Sequence, residues 1–205
     1  MRVFFNLLYH PLARTYDLVA AMVSLGRWRE RLLCARPFLR GRVLEIGFGP
    51  GHLQAALNEV GVEAYGLDES RQMSRQAGGR LRRKGYPVRL TRGYAHNLPF
   101  PEDCFESAAA TFPSEFIFEA QTLREIRRVL RPGGALVMVP SAWITGRGWL
   151  ERLAAGLFRV TGQAGALEVV LPPMERRIAE NGFTVRHKLV EADGSQVLVI
   201  VGEKT

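Results

Sequence analysis

The stretch VLEIGFGPGHL, residues 43–53, does most to limit what this chain can fold into. A short apolar run suited to a buried strand leads directly into three glycines within five positions, Gly47, Gly49 and Gly51, and then into helical spacing. A strand that turns through glycine into a helix is the first half of a crossover unit, and the pattern recurs. RVLEI (42–46) is followed by the helical run GHLQAALNEVG, and VEAYGL (62–67) by an arginine-rich helix from about Ser70. Gly78 and Gly79 interrupt that helix, each costing roughly 1 kcal/mol against alanine. PVRLTRG (87–93) and ESAAATF (106–112) read as the third and fourth strands. A helix with Leu123, Ile126, Val129 and Leu130 on one face stops at RPGG, and ALVMVP (135–140) is the fifth strand. A helix in LPPMERRIAENGF precedes two last strands, FTVRHKLVEA and QVLVIVG, joined by the hairpin-type turn DGS. The expected fold is α/β: a seven-stranded, mostly parallel sheet with helices on both faces and an antiparallel C-terminal hairpin strand.

A chain of 205 residues with 47% hydrophobic side chains predicts one globular domain, 1–205, with a sizeable core. Two segments fall outside the alternation: residues 1–40, read as an N-terminal helical lid, and residues 141–165, read as an inserted, cap-like helix with Trp143 and Trp149. No apolar stretch approaches the ~20 residues of a bilayer span, and no secretory signal is evident at the start, so the expected location is cytoplasmic. Cys34 and Cys104 stand in no metal or redox spacing; no metal site is expected, and both read as small buried hydrophobes. The formal charge of +8 comes almost wholly from arginine, a balance compatible with anionic partners but not specific to any.

The glycine turn limits the ligand. A dinucleotide reader requires G-x-G-x-x-G, and here the third fingerprint position is His52; no Gly-Lys-Ser/Thr phosphate loop is present. Glu45, at the strand end, would repel a pyrophosphate. A ligand with positive charge at that place is expected, while Asp68 in GLDES (66–70) is placed to accept from both hydroxyls of a ribose. S-adenosylmethionine meets both demands. Its ammonium suits Glu45, and the loop N–H groups suit its carboxylate.

The motifs VLEIGFGPG, GLDES, GYAHNLPFPEDCFE and LREIRRVLRPGGAL occur in this order across residues 43–136. Through them the chain resembles the class I S-adenosylmethionine-dependent methyltransferases, in the branch of small quinone-biosynthesis-like enzymes (methyltransferase domain 11 type), which implies a Rossmann-like sheet. The resemblance implies that Glu45, Gly47, Gly49 and Gly51 line the methionine end of the cofactor. Asp68 would hold the ribose diol, with Glu69 and Met73 beside the adenosine. Where relatives read Gly-Asp-Ala, this chain has Gly93-Tyr94-Ala95, so Tyr94 stands in place of a carboxylate that accepts from the adenine amino group, and the Ala95 N–H would still reach the base. The resemblance also places Thr111 and Phe112 beside the sulfonium and Tyr16 of YDL over the methionine end, with Tyr9 and His10 in the acceptor wall.

Methyl transfer from a sulfonium is an in-line displacement with a neutral leaving group, so alignment does much of the work and a base is needed only if the acceptor loses a proton. His96 and Glu115 are the candidates for that role. Two covering segments would suit a small, partly apolar acceptor methylated on oxygen or carbon. Two other readings stay open: an RNA methyltransferase, favoured by RLRRKG (80–85) and RRVLR (127–131), and a non-catalytic cofactor-binding partner protein. Oligomeric state has no signature in these residues.

Overall fold

The central strands explain themselves by burial. VLEI forms β1 (Val43–Ile46), every residue of which is buried, as a strand covered on both faces requires. The structure is a computed structural model, and it describes residues 28–144, 166–192 and 195–205. Beyond β1 come α2 (His52–Glu59), β2 (Ala64–Asp68), α3 (Arg71–Arg83), β3 (Leu90–Arg92), β4 (Phe105–Thr111), α4 (Ala120–Val129), β5 (Leu130–Ile144), α5 (Ala166–Ala179), β6 (Phe183–Ala192) and β7 (Ser195–Lys204). A short helix α1 (Trp28–Leu33) precedes them.

The sheet has seven strands in the order β3-β2-β1-β4-β5-β7-β6. β1 to β5 pair in parallel, and β7 is antiparallel to both β5 and β6. The expected sheet and its antiparallel closing strand are therefore present. The chain leaves β1 toward β2 and β3, then returns to place β4 on the other side of β1. That reversal opens a crevice at the carboxyl ends of β1 and β4, the usual ligand position in such sheets. Ala108, Ala109 and Ala110 of β4 are fully buried, and their small side chains let neighbouring layers approach the sheet centre.

Helix starts follow local chemistry. Ser70 caps α3 by accepting from the Met73 N–H at 3.2 Å. In α4 the expected inward face, Leu123, Ile126 and Val129, is fully buried, as is Leu130 just beyond it. Within the segment read as a lid, Leu32, Cys34 and Ala35 belong to the core, and Leu32 lies in one cluster with Val43, Leu53, Leu57, Ala64 and Ala109. Ser107 Oγ accepts from the Arg40 N–H and donates to the Arg40 carbonyl, both at 2.9 Å, tying this segment to β4.

Two boundaries differ from expectation. β5 does not end at Pro140 but continues through residues 141–144, which pair with residues 195–198 of β7 after a register shift between Met138 and Ser141. Pro140 has no N–H to offer the ladder, so the strand slips past it as a bulge while the long β7 still supplies partners. Trp143 is consequently a strand residue opposite Gln196, and the expected insertion beyond it, with Trp149, lies outside the described residues. α4 does stop where expected, at Val129 with Leu130 as its cap directly before RPGG, and RPGG itself lies in the irregular start of β5, where Leu130 pairs with Phe105 and Ala135 with Ser107. The α5 helix also begins earlier than expected, at Ala166, and carries Pro172 and Pro173 inside it.

Candidate functional site

The glycine turn adopts a conformation that side-chain-bearing residues resist. Gly47, Gly49 and Gly51 have φ of +71°, +50° and +78°. A side chain at 51 would meet the Ala77 Cβ at 2.7 Å, so Gly51 is also where α3 packs against the turn. A Cβ at Gly49 would meet nothing within 4 Å, leaving open space above the turn. Phe48 is buried beneath it with Met73 and Ala77, and its ring lies over Gly66.

Asp68 holds this turn in shape. Its Oδ2 accepts from the Gly49 N–H at 2.9 Å and its Oδ1 from the Ser70 N–H at 2.8 Å. Each oxygen keeps acceptor capacity for a further donor. Burial raises the Asp68 pKa, and the two N–H groups work against that shift. The Gly47 N–H donates to the Leu67 carbonyl at 2.8 Å and the Gly51 N–H to the Phe48 carbonyl at 3.0 Å. All three glycine N–H groups are thus engaged within the protein, contrary to the expectation that they stand open to a ligand carboxylate. The turn folds back onto β2 and Asp68, a contact between segments distant in sequence.

Glu45 differs from expectation too. It lies beneath the turn rather than at its mouth, 1% exposed. Its Oε2 accepts from Gln54 Nε2 at 2.9 Å, which also donates to the Tyr65 carbonyl at 2.9 Å. Desolvation by burial pushes the Glu45 pKa up to about 8, with the nearby Asp68 charge adding to the rise and the Gln54 bond opposing it. Gln54 Oε1 is buried and accepts no hydrogen bond among the described residues. The pair therefore presents a carboxyl group and an unfilled acceptor side by side, a set that a cation with several N–H donors would satisfy. Gln54 was not anticipated. Its signal is a polar residue between Leu53 and Leu57, which both face the core.

The other expected residues surround this centre unevenly. Met73 is buried in the small core under the turn, so its side chain does not border open space. Glu69 is exposed, and its carbonyl accepts from Arg92 Nη2 at 3.2 Å. Ala95 is buried, whereas Tyr94 is 59% exposed and stacks on His96 with ring centroids 5.4 Å apart. Thr111 ends β4. Phe112 follows with φ of +49°, rare for a bulky residue, and its N–H is taken by the Val139 carbonyl at 2.7 Å. Its ring packs against the core cluster that includes Cys34, Ala35, Val137 and Val139; the expectation beside the sulfonium concerns the backbone of Thr111 and Phe112, not this ring. Glu115 is exposed at the start of a 3₁₀ turn, Glu115–Phe118, and is not brought into contact with His96. Phe116, in the same turn, comes within 3.7 Å of where a Gly47 Cβ would stand. Tyr9, His10 and Tyr16 lie outside the described residues. No cluster of three or more metal-ligating side chains occurs among the described residues.

Several known proteins are similar to this chain in sequence or in fold. A methyltransferase domain family model matches residues 44–138. A demethylmenaquinone methyltransferase from Deinococcus radiodurans is 30% identical over 209 residues, covering 88% of this chain and 85% of that protein. One from Thermus thermophilus is 32% identical over 139 residues, 64% of this chain and 63% of the relative. The chain spans 63%, 40% and 56% of the length of the first three curated relatives it matches. Among solved structures, a Pyrococcus horikoshii protein superposes with a TM-score of 0.65 at 21% identity, over 89% of this chain and 93% of that one. An S-adenosylmethionine-dependent methyltransferase from Thermotoga maritima gives 0.62 at 19%, over 96% and 100%. These last two show the shared fold; with the Deinococcus relative, matched along most of both chains, they establish that this chain belongs to the methyltransferase family that includes the demethylmenaquinone methyltransferases.

Proposed function

We propose that the protein transfers a methyl group from S-adenosylmethionine to a carbon atom of a small, partly apolar quinone-type acceptor. The observation that carries this reading is the set of acceptors at and beneath a bare glycine turn: Asp68, the buried Glu45, and Gln54 Oε1, which accepts no hydrogen bond among the described residues. Such a lining suits a nucleoside bearing an ammonium and a ribose diol, and it opposes a pyrophosphate. The cofactor supplies an electrophilic methyl on a sulfonium with a neutral leaving group. Asp68 accepts from the diol while keeping the Gly49 turn in place. Glu45 gives up its proton as a cation arrives, and its charge is then matched from above instead of desolvated. The amino end of α2, which opens directly after the turn, favours the ligand's carboxylate. Tyr94 borders the base, and His96 or Glu115 takes a proton from the acceptor where the reaction releases one.

The preference for carbon and for a quinone comes from the relatives, one of which, from Geobacter sulfurreducens, is named a ubiquinone/menaquinone biosynthesis C-methyltransferase. We also assign the protein to the cytoplasm; the free thiols of Cys34 and Cys104 suit a reducing compartment. No helix among the described residues is long and apolar enough to cross a membrane. The test is incubation with methyl-labelled S-adenosylmethionine and a short-chain demethylquinone. Label is expected in the organic phase, on a ring carbon by mass spectrometry; label recovered only in added RNA would refute the acceptor class.

A further inference from the structure

The net charge of this protein sits in one place. Residues 71–92 hold eight of the 28 lysines and arginines and none of the 20 acidic residues, so the rest of the chain is formally neutral. This segment is α3 and the edge strand β3, one border of the sheet. Arg71, Arg75, Arg82, Arg83, Lys84 and Arg92 are exposed, and none has a carboxylate within ion-pair distance among the described residues. Elsewhere the pattern is different: Arg42 pairs with Glu63, Arg128 with Glu125, Arg131 with Glu106 and Arg186 with Glu203.

The shape of this border is unusual for a solvated helix face. Positions 71, 75 and 82 fall on one stripe of α3. Gly78 and Gly79 occupy its middle, and packing does not require them, since a Cβ at either would meet only the tip of an arginine side chain. Arg82 Nη1 lies 3.5 Å from the Gly78 position and Arg83 Nη1 3.3 Å from the Gly79 position, so both guanidinium groups lie back along the helix. Two guanidinium groups thus cover the glycine positions, and the face is cationic along its length. At its far end Lys84 Nζ sits 5.8 Å from the centre of the Tyr86 ring, and Val88 is 39% exposed between Lys84 and Arg89. At its near end, Arg71 and Arg92 flank Asp68 and the mouth of the crevice.

We propose that this border is a docking face for the anionic surface of a lipid bilayer, which brings the crevice to the membrane. An exposed aliphatic side chain among cations suits the headgroup boundary and adds nothing to phosphate binding in nucleic acid. The choice of lipid over nucleic acid also rests on reading the acceptor as a lipophilic quinone; the charge distribution does not.

The test is sedimentation of the whole protein with vesicles of phosphatidylcholine alone, or of phosphatidylcholine with about one third phosphatidylglycerol. Binding is expected only to the anionic vesicles and is expected to disappear in about 0.5 M salt, where screening is short-ranged. Each basic residue near such a surface contributes roughly fivefold, so R75Q, R82Q, R83Q and K84Q combined should weaken binding by about 500-fold. The variant's circular dichroism and its calorimetric affinity for S-adenosylhomocysteine should match the unaltered protein. Equal binding to both vesicle types, or an unchanged variant, would overturn the proposal. So would an RNA oligonucleotide that displaces the protein from the anionic vesicles. Failure of S-adenosylhomocysteine to bind would instead strike the methyltransferase reading and leave the vesicle result standing.

Discussion

Glu45 makes the protein's stability depend on pH in a direction opposite to that of most carboxylates. Its folded pKa of about 8 lies above the ordinary value of 4.5, because burial penalises the charge. Between those two values the folded state holds a proton that the unfolded chain has lost. Stability is therefore full below 4.5 and falls with slope of about 1.4 kcal/mol per pH unit until the folded group titrates. Over two units, from about pH 5.5 to 7.5, the loss assigned to this one group is about 2–3 kcal/mol. Glu45→Gln keeps the size and the acceptor for Gln54 Nε2 but cannot ionise, so the loss should vanish. Urea unfolding of both proteins at the two pH values measures it as a difference of differences, in which titrating groups that do not interact with Glu45 cancel. Parallel behaviour of the two proteins would mean that Glu45 is already ionised in the fold, and the account of a proton exchanged for a cation would fail.

Further perturbations separate binding from folding. Asp68→Ala removes the acceptor for a ribose diol and frees the Gly49 N–H, and each charge-assisted bond lost is worth roughly 1.5–3 kcal/mol; calorimetry with S-adenosylhomocysteine should show at least a tenfold loss, and an unchanged affinity would contradict the assignment. Gly51→Ala places a Cβ against Ala77 at a φ of +78°, so it should destabilise the fold by about 1–3 kcal/mol in urea denaturation. Ile126→Ala, in the fully buried face of α4, should cost about 2–5 kcal/mol without altering the S-adenosylhomocysteine affinity of the folded fraction. Tyr94→Asp restores a carboxylate where Tyr94 is now exposed, and should tighten S-adenosylhomocysteine about tenfold in calorimetry.

The succession of strands and helices and the helix faces were legible because they rest on periodicity and on glycine and proline at element ends. Leu123, Ile126 and Val129 needed only their spacing, and Ser70 only its place before α3. The end of β5 was not legible. Pro140 reads as a terminator, and only the length of β7 explains why the strand resumes beyond it. At the site, residue types were readable and their placement was not. Glu45 could be put at the end of β1, but its depth is set by the fold, where Gln54 of α2 comes to bond it. The glycine N–H groups looked available because Asp68, the residue that engages Gly49, comes 19 positions later. Phe112 was named for its backbone beside the sulfonium; its left-handed φ and the inward packing of its ring have no local sequence signal.

Titration calorimetry of S-adenosylhomocysteine near pH 7, repeated in two buffers of different ionisation enthalpy, probes the ligand preference of this turn most directly. One molecule should bind per chain, with release of close to one proton that is lost in Glu45→Gln, while NAD gives no heat and does not compete. Binding of NAD in competition with S-adenosylhomocysteine, or no uptake of S-adenosylhomocysteine at all, would contradict it.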